Sequence, residues 1–468
     1  MKKSKVQLRK WSTNMKINKY LLIGGLLFLS NSLWAQDKDT TALPGLLNLQ
    51  KAIEVALVNN YDLKIAQNQL KQSENSATAG NAGLLPSLTA NGGTEYSVNN
   101  TEMQFVNMGE TPSAGEVINI DGAETLTYNG NVRMDYTLFD GFGNVYTYKK
   151  LKDANDLQQT LFRQQMEMTI FQVAQQYYEV ARSQQNWHLA KSSLAISKDR
   201  YVRAVDQKAF GQANQLDLLN AEVDMNSDST TLLQAEQQFV MAVKDLNVIL
   251  GVAVQETFEV DDQIAFREDI NMEDVLANTM TNNAALVTQQ KQEGISEWDM
   301  KITKARKMPS ISAYGSYGYS HMDTDAGQIL YNESKGFTGG LTASFNIFNG
   351  RQQRTAEQNA KLDLMSEQER SRQIMAEVER DAANAITDYQ YKRRIVELQK
   401  SSLQQAELNF ETTKEMYALG RATSIEFRTA QENLLSVANR YSDAQYQAKI
   451  AEFYLLQLSG SLIGDYQQ

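Results

Sequence analysis

The sequence predicts a mainly α-helical chain with a smaller β part, and three observations carry this prediction. Only four prolines occur in 468 residues, which leaves long stretches free for uninterrupted helices. The chain also repeats its own pattern once along its length. Finally, one region in each copy alternates apolar and polar residues with the period of a β-strand.

The first half of each copy aligns at a constant offset of 223 residues. The segment LNLQKAIEVALVNNYDL at 47–63 resembles INMEDVLANTMTNNAAL at 270–286. The same offset continues without a gap to the two prolines Pro86 and Pro309. We therefore expect the leading segments of both copies to fold in the same way.

The second half of each copy aligns at an offset of 209 residues. YTLFDGF at 136–142 matches FNIFNGR at 345–351, and this offset holds to Gly251 and Gly460. The change of offset means that the first copy has 14 extra residues, which follow Ser97. We expect them in an exposed loop, because insertions concentrate there.

Each copy contains three predicted helical segments. No proline interrupts the 70 positions that separate Gly141 from Gly211, or the 70 that separate Gly350 from Gly420, and each stretch corresponds to a rod about 100 Å long. Shorter leading and return segments flank each rod and together match its length. The predicted helices cover 49–85, 142–210 and 213–250 in a first repeat at 36–262, and 271–308, 351–419 and 422–459 in a second repeat at 263–468.

The two return segments carry a heptad repeat. Apolar residues follow a 3,4 spacing from Phe427 to Leu458, and their counterparts run from Leu218 to Ile249. Asp228 is the one position that breaks the series. Sustained apolar a and d positions predict coiled-coil packing, and the interspersed alanines permit a close approach of the helices.

The strand regions lie at about 87–139 and 310–348. In NVRMDYTLF and LTASFNIF every second residue is apolar, so one face of each strand can be buried while the other is hydrated. Aromatic- and glycine-rich strands of ~9–11 residues are typical of outer-membrane barrels, and a soluble sandwich is the alternative. Four strands per chain are too few for a barrel, which needs ~8 or more, so two, three or four chains would have to share one.

The first 35 residues have the pattern of a secretory signal peptide. A basic stretch precedes the apolar run YLLIGGLLFLS, and Ala35 supplies the small residue before the expected cleavage point. The run is shorter than the roughly 20 residues that span a bilayer, and a retained membrane anchor is the alternative. Met15 is an alternative start, since MKINKYLLIGG is a complete signal by itself. We expect an exported protein with signal peptide 1–35.

Charge and composition exclude several kinds of site. The absence of cysteine excludes disulfides, thiol nucleophiles and cysteine-bound metals. The two histidines, His188 and His321, are interpreted as ordinary surface or lining residues. Residues 1–35 hold seven of the 45 basic residues and none of the 56 acids, so the rest has 38 against 56, a net charge of −18 that disfavours nucleic acid. We expect no cofactor, no metal and no catalytic residue.

The order of these features resembles the TolC-type outer-membrane efflux family from Leu49 to Gly460. The resemblance rests on the tandem repeat, the helix-to-strand junctions at Pro86 and Pro309, and the turns LFDGFG and IFNGR. It implies a homotrimer that forms a 12-stranded barrel in the outer membrane of a Gram-negative bacterium and a periplasmic tunnel of α-helices. It also implies a periplasmic adaptor protein and an inner-membrane transporter of the RND or ABC class as partners, and outer-membrane lipid around the barrel.

The resemblance assigns adaptor contact to the turns between long helices. Gly211 and Gly420 match the family's tip glycines, where the chain reverses between antiparallel helices and a positive φ is commonly needed. The neighbouring positions Gln212 and Leu419 belong to the same expected contact.

A gate is implied beside these turns. Asp217 and Glu426 match the acidic position six residues after each glycine, where the family has a lumen-facing ring. Tyr417 matches the constriction tyrosine, but the usual arginine position holds Ala422, so a Tyr–Arg–Asp latch would have to use Arg421. The alternative for both acids is a helix N-terminal role that the helix dipole favours.

Two other classes of function stay open at this point. A periplasmic coiled-coil adaptor or structural rod explains the helices and the signal, but not paired strands at regular intervals. A secreted enzyme needs carboxylates held in a cleft with separated pKa values, whereas the acids here fall mostly on solvated helical faces. The sequence favours an exit duct that passes substrates from an inner-membrane pump and adaptor to the exterior without making or breaking a bond.

Overall fold

The computed structural model describes residues 43–104, 117–211, 214–268, 270–325 and 329–464. The predicted signal peptide lies outside these ranges and stays a prediction. The helices are α1 Leu49–Asn59, α2 Tyr61–Ser76, α3 Gly143–Ala209, α4 Gln215–Leu250, α5 Met272–Asn282, α6 Ala284–Ala305, α7 Gln352–Ala418 and α8 Ser424–Leu458. The strands are β1 Leu46–Leu47, β2 Ser87–Gln104, β3 Val117–Phe139, β4 Glu259–Val260, β5 Ser310–Thr324 and β6 Tyr331–Ser344.

The helices α3 and α7 are the rods of the molecule. Each has 67 residues, which corresponds to about 100 Å. The return helix α4 packs along α3, and α8 packs along α7, so each repeat contains one long hairpin. None of the helices in the described ranges combines the length and the apolar character needed to span a bilayer.

The leading segment of each repeat is two helices where the sequence predicted one. In the first repeat, α1 and α2 are separated at Asn60. The side-chain oxygen of Asn60 accepts a hydrogen bond from the Leu63 backbone N–H (3.1 Å), and its amide donates to the Ile249 carbonyl oxygen (2.8 Å). Asn60 therefore caps α2 and fastens the break to the end of the return helix.

The second repeat has the same break at the equivalent residue, Asn283. Its side chain accepts from the Ala285 backbone N–H (2.9 Å) and donates to the Leu458 carbonyl oxygen (3.0 Å). Because Asn is tolerated within helices, the sequence pattern alone did not reveal the break at either position.

Each return helix ends at a glycine that lies against this break. Gly251 and Gly460 have φ values of 69° and 65°. A Cβ atom on Gly251 would lie 2.4 Å from the Asn59 carbonyl oxygen, and one on Gly460 would lie 2.7 Å from that of Asn282. Both the backbone conformation and the close approach therefore require glycine.

The four long strands form one antiparallel sheet in the order β2-β3-β5-β6. The last β5–β6 pair joins Ser310 to Ser344, so β6 ends before the predicted residue 348. Pro309, which precedes β5, has no backbone N–H to continue the ladder. In the first repeat, the ladder extends to Gln104 and Val117, so part of the 14-residue excess lengthens the strands rather than the loop.

The sheet has one apolar and one polar face. In register, Val132 of β3 lies beside Tyr317 of β5, which lies beside Phe337 of β6, and the three side chains are 53%, 63% and 74% exposed. The other face carries polar contacts, including the ion pair between Arg133 and Asp135 (2.8 Å). Aromatic side chains exposed together on one face indicate a surface that a membrane or another molecule covers.

The largest buried apolar cluster lies where α1, α3, α4 and α8 meet, halfway along the rods. A short parallel pair, β1 with β4, crosses this region and was not predicted. The fully buried Tyr177 on α3 is within hydrogen-bonding distance of the carbonyl oxygens of Leu47 (3.0 Å) and Asp261 (2.9 Å). This region, with the two asparagine breaks and Gly251 and Gly460, is called the equator below.

Candidate functional site

The site residues predicted from the sequence lie at the two hairpin turns far from the sheet, which we call the tip. Gly211 and Gly420 have φ values of 72° and 70°. At the second turn, the Arg421 N–H donates to the Met416 carbonyl oxygen (2.8 Å) and the Gly420 N–H to that of Tyr417 (3.0 Å), which is a Schellman ending. Gln212 lies outside the described residues.

Large apolar side chains project from both turns. Phe210 is 79% exposed, Leu419 is 70% exposed and Ile425 is 75% exposed. Among the residues that the structure describes, nothing lies within 4 Å of a Cβ atom built on either tip glycine. The end of the molecule is therefore open and apolar, as expected of a surface that meets another protein.

The two acids that follow the glycines close capping boxes. Asp217 accepts from the backbone N–H of Asn214 (3.4 Å), whose side chain accepts from Asp217 N–H (2.9 Å). Glu426 and Thr423 form the same reciprocal pair at 2.7 and 3.2 Å. The backbone and side-chain hydrogen bonds from Thr423 hold the pKa of Glu426 below its ordinary value. Both acids thus serve their helix N-termini, which was the alternative interpretation, and a lumen-facing role stays a prediction.

The structure places the two remaining gate residues, Tyr417 and Arg421, in different surroundings. The Tyr417 ring stacks on Phe427 with 4.9 Å between ring centroids, and Phe427 also contacts Phe410. Arg421 is exposed, and within the described residues its side chain forms no ion pair with Asp217 or Glu426. A Tyr–Arg–Asp latch is therefore not formed within one chain.

The tip also contains a buried ion pair between the two hairpins that the sequence did not identify as a site. Arg428 on α8 donates to both carboxylate oxygens of Asp228 on α4, at 2.7 and 2.9 Å. The Ser197 hydroxyl on α3 donates to the same carboxylate. Asp228 is the residue that breaks the heptad series, so the sequence revealed an irregular position but not that Arg428 is its partner.

A second buried cation lies beside this pair. The Arg200 side chain on α3 is 2% exposed and pairs with Asp224 on α4. Burial and the charge of neighbouring Arg428 lower the pKa of Arg200. Burial alone would raise the pKa of Asp228, but hydrogen bonds from Arg428 and Ser197 outweigh it and leave that pKa below its ordinary value. The two hairpins are therefore joined near the tip by these charges and by a small apolar cluster of Phe410, Phe427 and Ala430, against which Ile196 of α3 packs.

A cavity of about 270 Å³ lies next to these charges, between α3 and α7. Its wall includes Arg200, Phe410, Tyr417 and Phe427. No group of three or more potential metal ligands occurs among the described residues. The arrangement therefore offers a surface for a partner and a contact between hairpins that can open.

Comparison with known proteins agrees with this arrangement. The sequence model of the family described as "Outer membrane efflux protein" matches residues 52–252 and 275–461. The proteases secretion protein PrtF of Dickeya chrysanthemi is 20% identical over 436 residues, which cover 89% of this chain and 88% of PrtF.

Solved structures show the same fold. The CmeC outer membrane channel of Campylobacter jejuni superposes with a TM-score of 0.72 at 17% identity, covering 98% of this chain and 94% of CmeC. The open state of the MtrE outer membrane channel of Neisseria gonorrhoeae gives 0.69 at 16% identity, covering 88% of this chain and 89% of MtrE. The chain belongs to the outer membrane efflux protein family and is an exit duct of the Gram-negative outer membrane.

Proposed function

We propose that three copies of this chain assemble into one duct with a 12-stranded barrel. The observation that carries the proposal is the four-stranded sheet, whose outer strands β2 and β6 each have one unpaired edge within the described chain. An open edge is not tolerated in lipid, so each edge requires a strand from another copy. Three is the number that the family resemblance implies, and 12 strands lie within the range of bacterial barrels.

The two faces of the sheet fit such a barrel. The apolar face, with Val132, Tyr317 and Phe337, would contact outer-membrane lipid. The polar face, with Arg133 and Asp135, would line the water-filled interior. A periplasmic rod without a barrel gives no reason for this division of the sheet.

At the other end, we propose that the tip contacts a periplasmic adaptor that connects the duct to an inner-membrane transporter of the RND or ABC class. The exposed side chains Phe210, Leu419 and Ile425 support this role, because they leave apolar surface uncovered in one chain. Gly211, Gln212, Leu419 and Gly420 are the proposed contact positions.

The gate is proposed to lie at the same level of the duct. Asp217 and Glu426 would form acidic rings at its mouth, and Tyr417 would narrow it. Because Arg421 has no acidic partner within the described chain, a latch would have to join Arg421 to Asp217 of a neighbouring copy.

The proposal is tested by extracting the protein in detergent and reconstituting it in planar bilayers. We expect a trimer by mass and discrete single-channel conductance steps. A soluble monomer that gives no conductance contradicts the duct.

A further inference from the structure

A cluster of lysine and aromatic side chains lies where the helices meet the strands, and the duct function does not explain it. It comprises Phe142, Lys149, Trp298, Lys301 and Lys304, and we call it the Trp298 corner. The Lys301 ammonium lies 4.0 Å from the centroid of the Trp298 ring and that of Lys149 lies 5.3 Å from it. Two cations are thus held over one half-buried tryptophan by cation–π contact.

The ring is fixed on its other sides. The Trp298 Nε1–H donates to Asp153 (2.6 Å), and Tyr146 stacks on the ring at 6.0 Å between centroids. Asp153 is thereby engaged with the indole rather than with a lysine. Within the described residues, Lys301 pairs with Glu297 (3.7 Å), whereas neither Lys149 nor Lys304 has an ion-pair partner, although the chain as a whole is acidic.

The lysines lie on the same side of the wall as the apolar sheet face. A polar cleft on the opposite side is lined by Thr147 and Arg306 together with Ser310 and Ser344, which belong to the polar face. Lys149 lies two residues after Thr147, and Lys304 lies two residues before Arg306. Two residues turn a helix by roughly 200°, so both lysines lie opposite the cleft.

Phe142 lies at the end of the Trp298 corner that is nearest the sheet. It has a φ of 68°, a left-handed conformation that an L-residue with a Cβ adopts only at a cost, and its side chain is 58% exposed. Its ring meets Phe139 edge-on at 5.5 Å, and Phe139 is in register with Ile311 on the apolar face. Arg351, at the equivalent turn of the second repeat, has a φ of 67°, so the left-handed conformation belongs to the strand-to-helix turn of both repeats, and only the exposed aromatic ring is particular to the corner.

The spacing fits the headgroup layer of a membrane. Lys304 lies four residues, about 6 Å, before Met308, which is 58% exposed and immediately precedes Pro309 and the apolar strand β5. The headgroup layer on each side of a bilayer is about 5–7 Å thick. Lys301 lies seven residues, about 10 Å, before Met308, so its long side chain has to extend toward the sheet for the ammonium group to reach the lipid phosphates.

The Trp298 corner lies between α3 and α6, and the equivalent helices of the repeat, α7 and α2, do not carry the same residues. The offsets of 209 and 223 place Gln358, Thr78 and Asn81 at the positions of Lys149, Lys301 and Lys304, and Asn75 at that of Trp298. The equivalent helices α7 and α2, which would meet only between neighbouring copies of the proposed trimer, therefore lack both the tryptophan and these three charges.

We propose that the Trp298 corner binds the phosphate of an anionic phospholipid in the periplasmic leaflet of the outer membrane. The inference rests on the proposed barrel, which sets the apolar face in lipid. Three copies would give three such sites around the duct.

The test measures lipids retained by the detergent-extracted trimer with native mass spectrometry, after equal exposure to phosphatidylglycerol and phosphatidylcholine. We expect the wild type to retain phosphatidylglycerol preferentially. Each cation near a membrane surface contributes about fivefold in affinity, so Lys149→Gln/Lys301→Gln/Lys304→Gln should lower that preference at least tenfold. Lys149→Arg/Lys301→Arg/Lys304→Arg should keep it, because the charges remain.

A matched control removes the same charge elsewhere. Lys191 lies 5.6 Å from the centroid of the Trp187 ring on α3, far from the junction, and Lys198 and Lys400 are exposed lysines on the rods. Lys191→Gln/Lys198→Gln/Lys400→Gln should leave the lipid preference at the wild-type level.

Several outcomes overturn the proposal. These are an unchanged preference in the corner variant and an equal loss in the rod control. A corner variant with altered pore selectivity but unchanged lipid retention would place these lysines in the lumen instead. Failure of the wild type to form trimers or pores would contradict the duct, whereas intact pores without lipid preference contradict only the lipid site.

Discussion

The equator and the tip both use glycine to end a helix, yet the surroundings of these glycines differ. A Cβ atom on Gly251 would lie 2.4 Å from a backbone oxygen, whereas one on Gly211 would meet no described atom within 4 Å. Their φ values, 69° and 72°, are nearly equal. The same local conformation is therefore locked by tertiary packing at the equator and left free at the tip.

The forces that hold the two regions also differ. At the equator, Tyr177 and Leu246 belong to one large apolar cluster, in which a change of shape is costly. Near the tip, the hairpins meet through Arg428 and Asp228 beside a cavity of about 270 Å³. The apolar cluster at the tip, formed by Phe410, Phe427 and Ala430, is much smaller than the one at the equator, so separating the hairpins there exposes less apolar surface and we expect motion in the duct to be concentrated at the tip.

The largest expected effect comes from breaking the buried pair at the tip. Asp228→Ala leaves Arg428 without its main partner, which costs about 3 kcal/mol because one charge then stays buried and unpaired. Native-state hydrogen exchange should report this as roughly 100-fold faster opening of amides in α8 near Arg428. Amides around Tyr177 at the equator should be unaffected.

A double replacement is the control for this prediction. Asp228→Leu/Arg428→Met removes both charges and restores an apolar residue to the heptad position, so its stability should lie within about 1 kcal/mol of the wild type. Equal destabilisation in the single and double variants would show that the charge pair is not what joins the hairpins.

The next prediction compares the two glycine surroundings directly. Gly251→Ala adds a steric clash to an unfavourable φ and should destabilise the protein by about 2–3 kcal/mol, whereas Gly211→Ala faces only the unfavourable φ, at about 1–2 kcal/mol. Thermal unfolding of the detergent-extracted protein checks the difference. Equal shifts in Tm would mean that the equator is no more tightly fixed than the tip.

Much of the arrangement of rods, turns and strands could be predicted from the sequence. The proline-free stretches and the repeated glycines predicted two rods that end at Gly211 and Gly420, and alternation in the strand regions predicted four strands with one apolar face. These features are local, because periodicity and backbone conformation depend on neighbouring residues.

What the sequence did not reveal depends on contacts between distant residues. Asn60 breaks a helix because its amide meets the carbonyl oxygen of Ile249, 189 residues away. Asp228 breaks the heptad because it pairs with Arg428, 200 residues away. Such polar partners follow no periodic pattern, so the sequence shows the irregular residue but not what satisfies it.

The smallest expected effect concerns the acids at the mouth of the duct. Asp217→Ala/Glu426→Ala should lower the preference of the pore for cations, as reversal potentials in a salt gradient would show. Because hydrogen bonds from Thr423 lower the pKa of Glu426, its carboxylate stays ionised above its ordinary pKa of about 4.3 and is neutralised only as the pH falls through the lowered value. The contribution of Glu426 to selectivity should therefore be constant from about pH 5 to about pH 8, because this whole range lies above the ordinary pKa of a glutamate.

Acidification then distinguishes a mouth ring from simple helix capping. If Glu426 faces the lumen, the wild-type pore should approach the selectivity of the Glu426→Ala variant only as the pH falls through the lowered pKa of Glu426. If the carboxylate only caps α8, neither acidification nor substitution should change selectivity, and faster amide exchange in the first turn of α8 should be the sole response, since the capping box would then be lost.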